Sequence, residues 1–165
     1  MTKNILITGG AGYIGSHVSE ILVKNKKKIF ITDNLSTGYK KLINKKGKFF
    51  KVNINNKKKI KSIIVNNKID TVIHLAASLI IGEGEKYPKF YYKNNVLGTK
   101  SLIDACIETK VKNFIFSSTA AVYKDGSYRV TERSITKPKS VYGKTKLKAE
   151  KIIIKKCKKN KINYG

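Results

Sequence analysis

Three glycines spaced three apart, set between an apolar run and the start of a helical pattern, restrict this chain more than any other feature of it. The run is Asn4 to Thr8, and it leads straight into Thr8-Gly9-Gly10-Ala11-Gly12-Tyr13-Ile14-Gly15. From Tyr13 to Asn25 the apolar residues Ile14, Val18, Ile21 and Leu22 recur at helical spacing. That order predicts a strand, a tight turn and a helix. A side chain at Gly9 would obstruct the turn, one at Gly12 would hold the backbone away from a pyrophosphate, and one at Gly15 would separate helix from sheet. The N–H groups that open the helix, from Gly12 through Tyr13, Ile14 and Gly15, have no partners within it and attract negative charge. The expectation is a phosphate cradle for a dinucleotide. Asp33 follows a second strand pattern, Ile29 to Thr32. There its carboxylate can accept hydrogen bonds from both adenine-ribose hydroxyls and repel a 2′-phosphate, so NAD is expected in preference to NADP.

The rest of the chain repeats the alternation. Phe49 to Val52 reads as a third strand, and Ile60, Ile63 and Ile64 share one face of a lysine-rich helix. Thr71 to Leu75 is a fourth strand, a long helical pattern runs from about Tyr87 to Thr109, and Phe114 to Phe116 is a fifth strand. Lys124 to Lys139 reads as a loop and Val141 to Lys159 as a last helix. Strands alternating with helices predict an α/β fold with right-handed crossovers, a doubly wound parallel sheet of the Rossmann kind. A length of 165 residues suits one domain, able to bury about two-thirds of its unfolded surface. Beyond the last helix, Ile162-Asn163-Tyr164 reads as the approach to a further strand, so residues 1–165 are expected to form a dinucleotide-binding domain incomplete at its C-terminal end.

The formal charge of +26 raises the question of nucleic acid, since clustered cations release counterions from a phosphate backbone. The basic residues are almost all lysine, scattered over helix faces and loops, without an arginine stripe or interleaved aromatics. No specific nucleic-acid partner is expected, and the field instead draws in anionic small molecules. No apolar run reaches membrane-spanning length, so no membrane partner is expected. The chain enters its strand pattern at Lys3 without a basic and apolar leader, which predicts a cytoplasmic protein. Cys106 and Cys157 lack metal-ligand spacing and are expected to be reduced, buried thiols, with no metal site. His17 and His74 are expected to pack or cap rather than to catalyse.

Further segments carry a resemblance. Asp33-Asn34-Leu35, Asp70-Thr71-Val72-Ile73-His74-Leu75-Ala76-Ala77, Asn94-Asn95-Val96, Phe116-Ser117-Ser118-Thr119 and Tyr142-Gly143-Lys144-Thr145-Lys146 follow the glycine turn in order. Together they resemble the extended short-chain dehydrogenases/reductases, and most closely the nucleotide-sugar 4-epimerase branch. The resemblance covers essentially the whole chain. It implies that Leu75, Ala76 and Ala77 pass beneath NAD, that Asn34 joins Asp33 at the adenine-ribose end, that Asn53 and Ile54 lie near the adenine, and that Asn95 and Ser117 fix the nicotinamide side. Asn53 departs from the aspartate usual in the family, and its carbonyl oxygen is expected to meet the adenine amino group instead. Lys124 departs from a glycine.

Tyr142 and Lys146 are four apart on the last helix, so they project from one face. The ammonium and the positive nicotinamide ring both favour a phenolate, and Tyr142 is expected to act as base. Thr119 would bond the same substrate hydroxyl. The activity implied is a 4-epimerase of the UDP-glucose/UDP-galactose type, working through a 4-keto sugar. Ala120 and Ala121 stand where dehydratases of the superfamily carry acids. A sugar-nucleotide reductase, a dehydratase, and a dinucleotide binder without turnover remain as alternatives. The aromatic group Tyr87, Phe90, Tyr91 and Tyr92 reads as core or dimer surface, and the family implies a homodimer through this helix. Relatives of this kind are about twice as long, and their second half grips the nucleotide sugar.

Overall fold

The computed structural model describes residues 4–126 and 129–165. Lys3, placed in the first strand pattern above, lies outside them, as do residues 127 and 128 of the expected loop. Six strands form one parallel sheet in the order β3-β2-β1-β4-β5-β6. They are β1 (Asn4–Thr8), β2 (Lys28–Asp33), β3 (Lys48–Lys51), β4 (Thr71–His74), β5 (Asn113–Phe116) and β6 (Asn163–Tyr164). The helices are α1 (Tyr13–Lys24), α2 (Lys57–Asn66), α3 (Ile81–Lys86), α4 (Pro88–Tyr91), α5 (Gly98–Glu108) and α6 (Val141–Asn160). The strand order reverses between β1 and β4, which opens a crevice at the carboxyl ends of those strands.

Register explains the two-faced core. Leu6 pairs with Phe30 on one side and Val72 on the other, and Val72 pairs with Phe114. These four point to one face, where they meet Ile60 and Ile64 of α2, Leu102 and Cys106 of α5, and Ile153 and Cys157 of α6. Ile5, Ile7, Ile29 and Ile31 point to the other, against Val18 and Leu22 of α1. Strands buried on both sides read as continuous apolar runs, as these do.

The doubly wound expectation holds, and strand ends differ from it by a residue or two. The long helix expected from Tyr87 to Thr109 is instead composite: α4, a π-helical turn over Tyr92–Leu97, then α5. An additional helix, α3, precedes it, and its Gly82 and Gly84 hide the helical periodicity. Tyr87 separates α3 from α4 at φ −128° and ψ 60°, since the residue before a proline is pushed out of the helical region. Pro88 then starts α4, where its missing N–H costs nothing. Lys124 has no positive φ and donates its N–H to the Ile135 carbonyl at 2.9 Å, so the departure from glycine strains nothing.

Candidate active site

The cradle is built on Gly9, whose φ is positive at 74°. A Cβ there would meet Ala76 N at 2.7 Å, so only glycine lets β1 turn this tightly against the segment leaving β4. Gly12 opens α1 without a side-chain cap. A Cβ at Gly15 would strike the Gly9 carbonyl oxygen. Tyr13 and Ile14 turn their side chains out to solvent, 77% and 57% exposed, so what they offer inward is backbone N–H.

Asp33 is buried at the end of β2. Its Oδ2 accepts from the Ala11 N–H at 3.1 Å and its Oδ1 from the Leu35 N–H at 2.8 Å. The carboxylate therefore ties the cradle to the turn after β2. In that turn Asn34 Oδ1 accepts from the Ser36 N–H at 3.0 Å and hydroxyl at 2.8 Å. Tyr39 N–H returns to the Ala11 carbonyl at 3.0 Å, folding residues 34–39 over the cradle.

One cleft runs along this surface, and Gly9, Gly12, Asp33, Asn34, Asn53, Ile54, Leu75, Ala76 and Ala77 all line it. Ser36, Thr37, Gly38 and Leu79, which no sequence motif marked, also line it, as does Asn94 of the Asn94-Asn95-Val96 segment. Of the adjacent asparagines it is Asn94 that reaches the wall. Asn95 is 2% exposed, its Oδ1 accepting from Ser78 N–H at 2.8 Å and its Nδ2 donating to Ser78 O at 2.9 Å and Thr145 Oγ1 at 3.2 Å. Asn95 thus fastens the segment after β4 to α6. Asn53 Oδ1 already accepts from Asn55 N–H at 2.9 Å and Asn55 Nδ2 at 3.0 Å, so an adenine amino group reaches it only by displacing the Asn55 amide.

At the start of α6 the Ser140 hydroxyl oxygen accepts from Gly143 N–H at 3.0 Å, and Glu85 Oε1 accepts from Val141 N–H at 2.7 Å. A Cβ at Gly143 would collide with the Ala121 carbonyl oxygen and meet Pro138 Cβ at 3.0 Å. This close approach sets Tyr142 beside the short turn Ala120–Val122 that Thr119 caps. Thr119 Oγ1 accepts from Ala121 N–H at 3.2 Å, which leaves its own proton to donate. Lys146 is 3% exposed; its Nζ donates to Ser117 O at 2.5 Å and sits 4.1 Å from the centroid of the Phe116 ring. Burial brings this ammonium down to about 8, and the charge of Glu150 opposes the shift.

His74 lies in the core. The Thr99 hydroxyl donates to the Asn95 carbonyl at 2.6 Å, so it accepts from His74 Nε2 at 2.9 Å. Nδ1 then accepts from the Thr8 hydroxyl at 2.7 Å. Burial, with the Lys146 charge adding, holds the imidazole down to about 3 and neutral. His17 is exposed on α1, its Nδ1 at 2.8 Å from the Tyr13 carbonyl. Among the described residues no three His, Cys, Asp or Glu side chains gather where a metal could sit.

The NAD dependent epimerase/dehydratase family matches residues 5–165. The chain is similar to the UDP-glucose 4-epimerase of Lactobacillus helveticus, with 39% identity over 97% of this chain and 49% of that protein. It is 40% identical to the UDP-glucose 4-epimerase of Halalkalibacterium halodurans over 90% of this chain and 44% of that one. Among solved structures, the UDP-glucose 4-epimerase of Brucella ovis in complex with NAD superposes with a TM-score of 0.95 at 36% identity, over 99% of this chain and 50% of that one. The UDP-Glc/GlcNAc 4-epimerase of Campylobacter jejuni gives 0.92 at 38% identity, over 96% and 50%. The chain therefore spans about half the length of the relatives it matches.

Proposed function

This chain belongs to the NAD dependent epimerase/dehydratase family, and on that premise we propose that it is the cofactor-binding, proton-transferring half of a nucleotide-sugar 4-epimerase of the UDP-glucose/UDP-galactose type. One observation carries the reading. The cleft that holds the glycine cradle and Asp33 is stitched, through Asn94, Ser78 and Asn95, to the helix bearing Tyr142 and Lys146.

In this reading the N–H groups of Gly12, Tyr13, Ile14 and Gly15 take the pyrophosphate, and Asp33 and Asn34 take the adenine ribose. Asn53 and Ile54 flank the adenine, Leu75 to Ala77 run beneath the dinucleotide, and Asn95, Ser117 and Lys146 hold the nicotinamide end. The fit rests on a turn that has no room for a Cβ at Gly9 or Gly15 and on a carboxylate where ribose hydroxyls would bond. When bound, NAD supplies a hydride acceptor that gives the hydride back. Tyr142 takes the proton from the sugar 4-hydroxyl and later returns it. The Lys146 ammonium favours the phenolate, and the Thr119 hydroxyl, its oxygen occupied by Ala121 N–H, donates to the same sugar oxygen. With alanine at 120 and 121, no carboxylate stands next to Thr119 to drive loss of water, which favours epimerisation over dehydration.

The 165 residues alone are expected to bind NAD with little or no turnover, because relatives carry as much chain again. A homodimer fits the face where Tyr92 and Leu97, 38% and 43% exposed, border Pro88 and Val141; a mass measurement in solution decides it. No helix among the described residues is long and apolar enough to cross a membrane, and the buried free thiols suit the cytoplasm. Calorimetric titration tests the reading: NAD binds and NADP binds more weakly, whereas equal affinity or tighter NADP removes the assignment.

A further inference from the structure

The buried Lys146 ammonium faces the Ser117 carbonyl and the Phe116 ring, neither of which carries a net charge. A cation held this far from water needs a counter-charge as well as hydrogen bonds. Tyr142 and Glu150 stand one turn to either side of Lys146 on α6, and His74, on the same sheet face as Val72, packs against the Phe116 ring that the ammonium covers. The imidazole is held neutral by burial, and Glu150, four residues on from Lys146 along α6 and so one turn away on the same side of the helix, is the carboxylate whose charge favours the ammonium. Glu150 has a second engagement. Its Oε1 accepts a hydrogen bond from the Ser118 hydroxyl, on the segment that leaves β5. Ser117, whose carbonyl takes the ammonium, and Thr119, assigned to the sugar oxygen, are the two neighbours of Ser118. Neither Glu150 nor Ser118 has a part in the proton transfer described above.

We propose that Glu150 is a positioning residue, a single carboxylate that supplies the counter-charge of Lys146 and pins Ser118, so that Ser117 and Thr119 keep their places between β5 and α6. The two duties are separable. Glu150→Gln removes the charge and keeps an oxygen for the Ser118 hydroxyl, while Ser118→Ala removes the hydroxyl and keeps the charge. The proposal rests on the reading of Lys146 as a cofactor-holding ammonium, and the test keeps the two apart.

The experiment follows the Lys146 side-chain nitrogen through a pH titration by NMR, its signal identified by absence from Lys146→Met, with NAD affinity measured on the same samples. In Glu150→Gln the ammonium gives up its proton earlier, with the midpoint lower by about one pH unit, and NAD affinity at neutral pH falls with it. Glu150→Asp, which keeps the charge but draws it back, shifts the midpoint less and serves if the glutamine variant fails to fold. Ser118→Ala leaves the midpoint in place and speeds amide exchange at residues 117–119. Wild-type midpoints in both Glu150 variants would overturn the proposal. Wild-type NAD affinity in Lys146→Met would instead overturn the cofactor role of Lys146, and the midpoints would still judge Glu150.

Discussion

Asp33 does two jobs with one carboxylate. It orders the cradle through Ala11 and Leu35, and it stands in the cleft wall where a ribose would lie. Asp33→Ala therefore leaves two backbone donors unsatisfied, at about 1–3 kcal/mol each. NAD affinity should fall and its margin over NADP should narrow, which the same calorimetry reads. Tyr142 is simpler, because phenylalanine keeps the ring and removes only the hydroxyl. In an enzyme joining this chain to the half its relatives add, Tyr142→Phe is expected to lower the epimerisation rate by a factor of order 100 or more while NAD still binds. Wild-type speed in that variant would mean that another group is the base. At this scale the glycine turn and the acid after β2 were legible in the sequence because their motif fixes their neighbours, and Gly9, Gly12 and Asp33 line the cleft. The sequence is a poorer guide to Asn94, because only the three-dimensional path of the turn shows that this side chain reaches the wall while that of Asn95 is turned inward. Glu150 was hidden for a different reason, because in a lysine-rich helix an acid reads as surface.

Elements place these residues by contact rather than by propensity. Alanine normally stabilises a helix by about 1 kcal/mol over glycine, yet at Gly143 the added Cβ meets the Ala121 carbonyl and Pro138. Gly143→Ala should therefore lower the melting temperature instead of raising it, by moving α6 off the turn that Thr119 caps. A rise would show that this approach does not position Tyr142. His74 joins β1, β4 and α5 through Thr8 and Thr99. Its folded value lies near 3 against an ordinary 6.5. Between these limits the unfolded chain binds a proton that the folded chain refuses, so stability falls as pH drops through that window. Urea midpoints measured from neutral to acid pH should show this slope, and His74→Gln should flatten it. The strands were legible because residues buried on both faces leave unbroken apolar runs. Helix α3 was not, since it is short and carries two glycines, and the π-helical turn was not, since six residues shift the helical period too little to notice.

At the scale of the whole molecule, a sheet order of β3-β2-β1-β4-β5-β6 puts α2, α5 and α6 together over one core and gathers the cleft at one end of the strands. Cys106 and Cys157 both lie in that core at 0% exposure, one on α5 and one on α6. Burial pushes both thiols up, Cys157 to about 11. A thiol reagent in neutral solution then meets neither sulfur until the layer of helices lifts from the sheet. The pair is in effect a stopwatch for that opening, and its labelling rate counts breathing events of the domain. If NAD binds only the closed form, saturating NAD at about 100 times its Kd should slow the stopwatch roughly 100-fold. Labelling as fast as that of a free thiol, with or without NAD, would mean that the core does not close over these cysteines.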